Sequence, residues 1–300
     1  MSESYSICLY FCPLTIQECD SQTSSLLKSW LPEDELVKVD RYVKQEAKTQ
    51  GLMVRGYLRA LLSQHSDLLP NEWRFEYGEK GKPRLSDTQF KQTGIHFNLS
   101  HSGDWLLVGI CVPKAEKRNN LDAVEFGVDI ERCRSSTNIH SILSHYFSEP
   151  EKAALLALPA ELQRERFFDL WALKESYIKA KGLGLALSLK SFAFDFSSLS
   201  ETPLELDVTK ISSSGDAPTS KLSTRHILLK QHISLSIMQA KQAADTSTLE
   251  IQTMQPAKNW HCWLGHLDDS YRFAMSIGQC QQVSIKAQQV DFKTLLQPEL

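Results

Sequence analysis

The segment Gly127-Val128-Asp129-Ile130-Glu131 sets two carboxylates at i and i+2. Successive side chains of a strand alternate between faces, so Asp129 and Glu131 share one face with Gly127, and Phe126, Val128 and Ile130 share the other. At a rise of about 3.3 Å per residue the two carboxylates start roughly 6.6 Å apart, near enough to converge on one cation. Gly127 beside them would leave room for a ligand. Hard oxygen donors with no His or Cys next to them suit Mg²⁺, which takes one or two carboxylates and completes its shell with water and phosphate. Taken alone, such a pair at a strand end is more often solvated than metal-bound.

A third carboxylate lies in the run from Phe167 to Lys179. At helical pitch Glu175 projects between Phe168 and Trp171, in a stripe that also holds Phe167 and Ile178. A carboxylate there needs a partner, and Lys179, one turn on, can supply it. The alternative is an ordinary surface pair at i, i+4, worth about 0.2–0.5 kcal/mol. A third group joins Gly81-Lys82-Pro83 to Asn98-Leu99-Ser100-His101-Ser102-Gly103. Hydroxyls, an imidazole and a lysine in a Gly-Pro turn can line a phosphate-rich ligand. Each is unremarkable by itself, and an isolated His101 is more often a turn residue than a ligand contact.

Elements must hold these groups in place. The pattern predicts a strand at Tyr5 to Phe11 and one or two helices from Pro32 to Ser63, apolar at Leu52, Val54, Tyr57, Leu58, Leu61 and Leu62 with Arg55 and Arg59 on a common face. Trp73 to Tyr77 reads as a strand before a turn. Ile95 to Leu99 and Trp105 to Val112 read as strands around a polar tight segment, Ser100 to Asp104. Pro113 to Glu125 reads as a link between two halves. Helices follow at Ser148 to Leu158 and Glu161 to Lys181, the latter closed by Gly182 and Gly184. Ser188 to Thr224 is Ser/Thr-rich, with a mobile loop expected over Ser212 to Pro218, and short strands follow at His226 to Met238, Trp260 to Leu267 and Arg272 to Ile277. Mixed runs without βαβα alternation predict an α+β fold.

Composition narrows the function classes. The 300 residues carry 33 Lys and Arg against 36 Asp and Glu, a formal net charge of -3, which argues against a dedicated nucleic-acid binder. No apolar run reaches the ~18 residues of a membrane span. Seven cysteines without a CxxC pair, and an acid where a signal peptide would be basic, predict a reduced, cytoplasmic protein. His261 and His266 are five apart, not at the i, i+4 spacing of a helical zinc pair.

In their order along the chain, Gly81-Lys82-Pro83, Phe97 to Gly103, Gly127 to Glu131, Phe147-Ser148-x-x-Glu151 and Trp171 to Lys179 resemble the 4′-phosphopantetheinyl transferases of the surfactin-synthetase-activating type, over about residues 38 to 195. The resemblance implies a monomeric pseudo-dimer of two similar α+β halves, 1–125 and 126–300, with the active site and coenzyme A between them and the metal-binding carboxylates in the second half. By position it implies Asp129, Glu131 and Glu175 as Mg²⁺ ligands and Lys179 beside the transferred phosphate. Glu151 would be the base or hold its water. Lys38, Arg59, Gly81, Lys82, Pro83, Ser100, His101 and Lys179 would line coenzyme A. The implied reaction moves the phosphopantetheine arm of coenzyme A onto a serine of an apo carrier protein. Two rival readings are another Mg²⁺-dependent phosphoester enzyme and a non-catalytic adaptor that binds coenzyme A or a carrier protein. Neither motifs nor charge separates fatty-acid, polyunsaturated-fatty-acid, polyketide and nonribosomal-peptide carriers.

Overall fold

Strands and helices follow one another irregularly, as the α+β pattern predicts. The computed structural model describes residues 4–16, 19–114, 124–211, 220–240 and 252–296. The chain begins with β1 (Ser4–Pro13) and three helices, α1 (Ser21–Trp30), α2 (Glu33–Asp40) and α3 (Gln45–Ser63). A hairpin of β2 (Phe75–Tyr77) and β3 (Pro83–Leu85), helix α4 (Asp87–Thr93) and a hairpin of β4 (His96–Ser102) and β5 (Trp105–Pro113) follow. Strand β6 (Glu125–Arg132) leads to α5 (Ile139–Tyr146), α6 (Glu149–Leu156) and the long α7 (Ala160–Lys181). Two 3-10 turns precede β7 (Phe192–Asp195), β8 (Ser200–Ile211), β9 (Ser220–Gln231), β10 (Ser234–Ala240) and β11 (Gln252–Pro256). Last come β12 (Trp260–Asp268), β13 (Tyr271–Gly278), β14 (Gln282–Gln289) and α8 (Phe292–Leu296). Among the described residues no helix is long and apolar enough to cross a membrane.

Two compact units result, and each draws on more than one stretch of chain. One takes Tyr5–Leu121, Leu204–His226 and Val283–Leu300; the other takes Met1–Ser4, Asp122–Pro203 and Ile227–Gln282.

In the unit that starts at Tyr5 the strand order is β4-β5-β1-β14-β8, with β1 and β5 antiparallel and β14 and β8 parallel. Helix α3 packs on α1, α2 and α8, and its predicted apolar stripe is buried throughout, with Leu27, Trp73, Phe97 and Phe292 in the same core. The polar segment expected at Ser100 to Asp104 is mostly strand. Ser100, His101 and Ser102 pair with Leu107, Leu106 and Trp105, and only Gly103, at φ 57°, and Asp104 make the turn. Polarity misleads here because antiparallel pairing satisfies the backbone whatever the side chains.

In the other unit β12, β13 and β6 lie side by side, the end of β9 pairs with β12, and β11-β10-β7 form a separate sheet. The expected strand from His226 to Met238 is broken at His232, whose φ is 58°, so that β9 and β10 join different sheets. Strand β13 is buried at every position. Helix α7 lies across β6 and β13 and contributes Phe167, Phe168, Leu170, Leu173, Tyr177 and Ile178 to the core. It ends as expected at Gly182, whose φ of 68° and N–H to the Ile178 carbonyl, 2.9 Å, form a left-handed cap. The loop expected at 212–218 and most of the 113–125 link lie outside the described residues.

Candidate active site

The site is built where α7 crosses β6. A Cβ on Gly127 would collide with the Ser176 carbonyl and the Ala180 amide, so this glycine admits the helix backbone rather than a ligand. Three polar ties hold α7 down: the Ser176 and Ser276 hydroxyls at 2.7 Å, Lys179 Nζ to Asp129 Oδ1 at 2.6 Å, and Lys181 Nζ to Glu125 Oε1 at 2.6 Å. The close approach carries a first prediction. Gly127→Ala forces two backbones apart, which overpacking data put at about 1–3 kcal/mol. A lowered melting temperature together with weakened activity is expected. Wild-type values for both would show that the close crossing is not needed.

The apolar surroundings expected for Glu175 need correcting. Trp171, Glu175 and Lys179, spaced four apart, form the half-buried stripe of α7, which buried Phe167 opens one turn earlier, its ring stacked on Trp171 at 6.0 Å, while Phe168 and Ile178 are buried beside it. Lys179 salt-bridges Asp129 rather than Glu175, though its charge reaches both. Burial, and after it the charge of Asp129, pushes the Glu175 carboxyl above its ordinary value; Lys179 opposes this and Glu131 adds to it. Three carboxylates from β6 and α7 thus feel one another's charge with one ammonium between them. This donor set, all hard oxygen and short of positive charge, fits Mg²⁺.

Glu151 is buried and accepts from four donors. It closes a capping box at the start of α6, where Oε2 accepts from the Ser148 amide at 3.1 Å and the Ser148 hydroxyl at 2.7 Å. Lys174 Nζ lies 2.8 Å from the same oxygen, and the Phe194 amide donates to Oε1 at 3.0 Å. Sequence reasoning missed Lys174. The signal was present: a lysine at 174, in register with buried Phe167, Leu170, Tyr177 and Ile178, must have an anion beneath it.

The expected coenzyme A residues other than Lys179 belong to the unit that starts at Tyr5. Gly81, at φ 81°, turns the β2–β3 hairpin, which Pro83 enters opposite Tyr77. Ser100 and His101 are successive residues of β4 and face opposite ways, Ser100 buried and His101 exposed. Lys38 is half-exposed, 3.3 Å from Asp34 and over the Tyr77 ring at 4.2 Å. Arg59 has no exposure at all. It donates to the Pro70 and Trp73 carbonyls at 3.1 and 2.9 Å and to Glu35 Oε1 at 2.7 Å. The basic face expected for α3 is therefore split, because Glu35 of α2 draws Arg59 inward and leaves Arg55 half-exposed, its Nε 3.7 Å from Glu35.

One further polar knot lies on α7. Donor atoms of Glu165, Asp169 and His266 fall within 4.8 Å of one another. Arg272 Nε is 3.3 Å and Lys230 Nζ 3.5 Å from Asp169. Burial alone would raise the Asp169 carboxyl, yet the His266 hydrogen bond and these cations hold it below its ordinary value. With a guanidinium and an ammonium already opposite two carboxylates, the knot has no charge left for a metal ion to balance.

Comparison with known proteins follows the same geography. Residues 125–222 match the model of the 4′-phosphopantetheinyl transferase superfamily, and residues 18–112 match that of the 4′-phosphopantetheinyl transferase N-terminal region. The first span contains Asp129, Glu131, Glu151, Glu175 and Lys179; the second contains Lys38, Arg59, Lys82 and His101. The chain is 31% identical to the 4′-phosphopantetheinyl transferase HetI of Nostoc sp. over 58% of its own length and 68% of the relative's. It is 31% identical to the 4′-phosphopantetheinyl transferase Sfp of Bacillus subtilis over 59% and 72% of the two chains. A human relative, the L-aminoadipate-semialdehyde dehydrogenase-phosphopantetheinyl transferase, is 28% identical over 59% and 55%.

Proposed function

Because the chain belongs to the 4′-phosphopantetheinyl transferase superfamily and is an enzyme of that class, we propose that it moves the 4′-phosphopantetheine group of coenzyme A onto a serine of an apo acyl or peptidyl carrier protein. The reaction is Mg²⁺-dependent and releases adenosine 3′,5′-bisphosphate. The observation that carries this reading is the 2.6 Å contact of Lys179 with Asp129, one helical turn from Glu175, which joins two separate motifs in one charged cluster.

Asp129, Glu131 and Glu175 would hold the ion, whose chemistry is to neutralise pyrophosphate oxygens as charge grows on the leaving group. Lys179, half-exposed beside them, adds a point charge for the same oxygens. Gly81, Lys82, Pro83, Ser100, His101 and Lys38 are proposed to bind coenzyme A, whereas the burial of Arg59 speaks for a role within α2 and α3. Catalysis by positioning and neutralisation suits a phosphoryl centre attacked by an alcohol. A monomer acting in the cytoplasm completes the proposal.

Intact-mass measurement of a panel of apo carriers, incubated with coenzyme A with and without Mg²⁺, tests it. A phosphopantetheine mass gain on at least one carrier, lost without the ion, is the expected result. Tight coenzyme A binding with no gain on any carrier would replace the proposal with the adaptor reading. Phosphoester cleavage without coenzyme A would replace it with the other rival.

A further inference from the structure

Glu151 and Lys174 are the most completely enclosed ion pair of this unit among the described residues, with no side-chain exposure on either partner. An ammonium has three protons to donate, and all three of those on Lys174 are used: Glu151 Oε2 at 2.8 Å, the Leu189 carbonyl at 2.8 Å and the Phe192 carbonyl at 3.0 Å. The same cation lies 4.2 Å from the Phe192 ring. Through Glu151 the network reaches the Ser148 cap of α6 and the Phe194 amide of β7. Two separate pieces of chain, the start of α6 and the 189–194 segment, are therefore fastened to one point on α7.

That point is the residue before Glu175. Neighbours on a helix are turned by about 100°, so a Lys174 held inward fixes the direction in which Glu175 and, one turn later, Lys179 leave the helix. Ser148 and Lys174 together occupy Oε2, and Oε1, which holds the Phe194 amide, lies on a side chain with no exposure, so a substrate hydroxyl has no open approach to this carboxylate in the resting fold. We propose that Glu151 and Lys174 are a positioning pair that sets the orientation of the metal-side residues of α7, and that Glu151 takes no proton in the transfer. The inference rests on the transfer reaction proposed above.

Two variants test it. Glu151→Gln keeps one acceptor oxygen, enough for Ser148 or for the Phe194 amide but not for both, and removes the charge and the basic group. Lys174→Met removes the fastening itself. The first readout is hydrogen exchange of the 189–194 segment in metal-free protein, where Lys174→Met is expected to speed exchange roughly tenfold or more by freeing that segment. The second is the pH profile of turnover, in which Glu151→Gln is expected to retain the acidic limb of the wild-type protein and to weaken the apparent Mg²⁺ affinity more than the limiting rate. If instead Glu151→Gln flattens the acidic limb and lowers the rate by roughly 10²–10⁴-fold with exchange unchanged, Glu151 is the base and the inference is wrong. Should the wild-type protein transfer nothing to any carrier, the reaction proposal fails by itself. The exchange arm then still decides the pair: unchanged protection of 189–194 in Lys174→Met overturns it, as does an unfolded Lys174→Met accompanied by a base-like Glu151→Gln.

Discussion

Asp129→Asn and Glu175→Gln are each expected to slow phosphopantetheine transfer by roughly 10²–10³-fold, the scale of losing one fixed electrostatic partner of a transition state. Both are expected to fold; in metal-free buffer Glu175→Gln is expected to melt at or above the wild-type temperature, and Asp129→Asn, which weakens its tie to Lys179 while relieving Glu175, close to it. The combination follows from the charge arrangement. In the absence of a cation the Glu175 carboxyl is pushed up by burial and by Asp129 and Glu131, so neutralising one carboxylate relieves a repulsion. Asn at 129 still offers a carbonyl oxygen to Lys179 Nζ, which sits 2.6 Å from Asp129 Oδ1 in the native protein. In Glu175→Gln activity and stability then move in opposite directions, as they do where a site is organised for a ligand rather than for the resting fold. Turnover read by intact mass across a Mg²⁺ titration, paired with calorimetric melting, separates the outcomes. Near-normal turnover at limiting Mg²⁺ would remove these carboxylates as the metal set. A collapse in melting temperature would make Asp129 a structural anchor instead.

Which parts of this site the sequence could reveal depends on how local their geometry is. Strand alternation around Asp129 and the helical stripe around Glu175 are local, and the sequence places both residues on the elements where they are found, β6 and α7. The left-handed cap at Gly182 is local too. Partners that come from elsewhere are not. Gly127 reads as space for a ligand until α7 is laid on it, because nothing within five residues announces a helix backbone at van der Waals contact. Lys179 pairs across to β6 at a sequence separation of 50, whereas spacing alone offers it Glu175. Lys174 is legible only as a misplaced charge in a buried stripe, and its anion lies in a helix that ends before α7 begins. Periodicity also misjudges the end of β9, since the His232 conformation that breaks the strand leaves no mark on the apolar pattern.

Replacing Arg59 by Met is expected to cost about 3–5 kcal/mol, the usual price of stripping one partner from a buried ion pair. The side chain is fully enclosed, and its guanidinium joins α2 to α3 through Glu35 Oε1 at 2.7 Å while also carrying the Pro70 and Trp73 carbonyls. Without it the Glu35 carboxylate, itself 4% exposed, faces only Arg55 Nε at 3.7 Å. Burial depresses the Arg59 guanidinium and the Glu35 charge resists that shift, which marks the two as mutually dependent. A double change, Arg59→Met with Glu35→Leu, removes both charges and should recover most of the loss, because a well-packed apolar pair can replace a buried ion pair at little cost. Chemical denaturation of the single and double variants measures the coupling. The competing expectation places Arg59 at the nucleotide end of coenzyme A. On that reading Arg59→Met would raise the KM for coenzyme A and leave stability alone, and the Glu35 change would rescue nothing. A stability loss near zero in the single variant would therefore return Arg59 to the coenzyme A side and take away its role as the internal strut between α2 and α3.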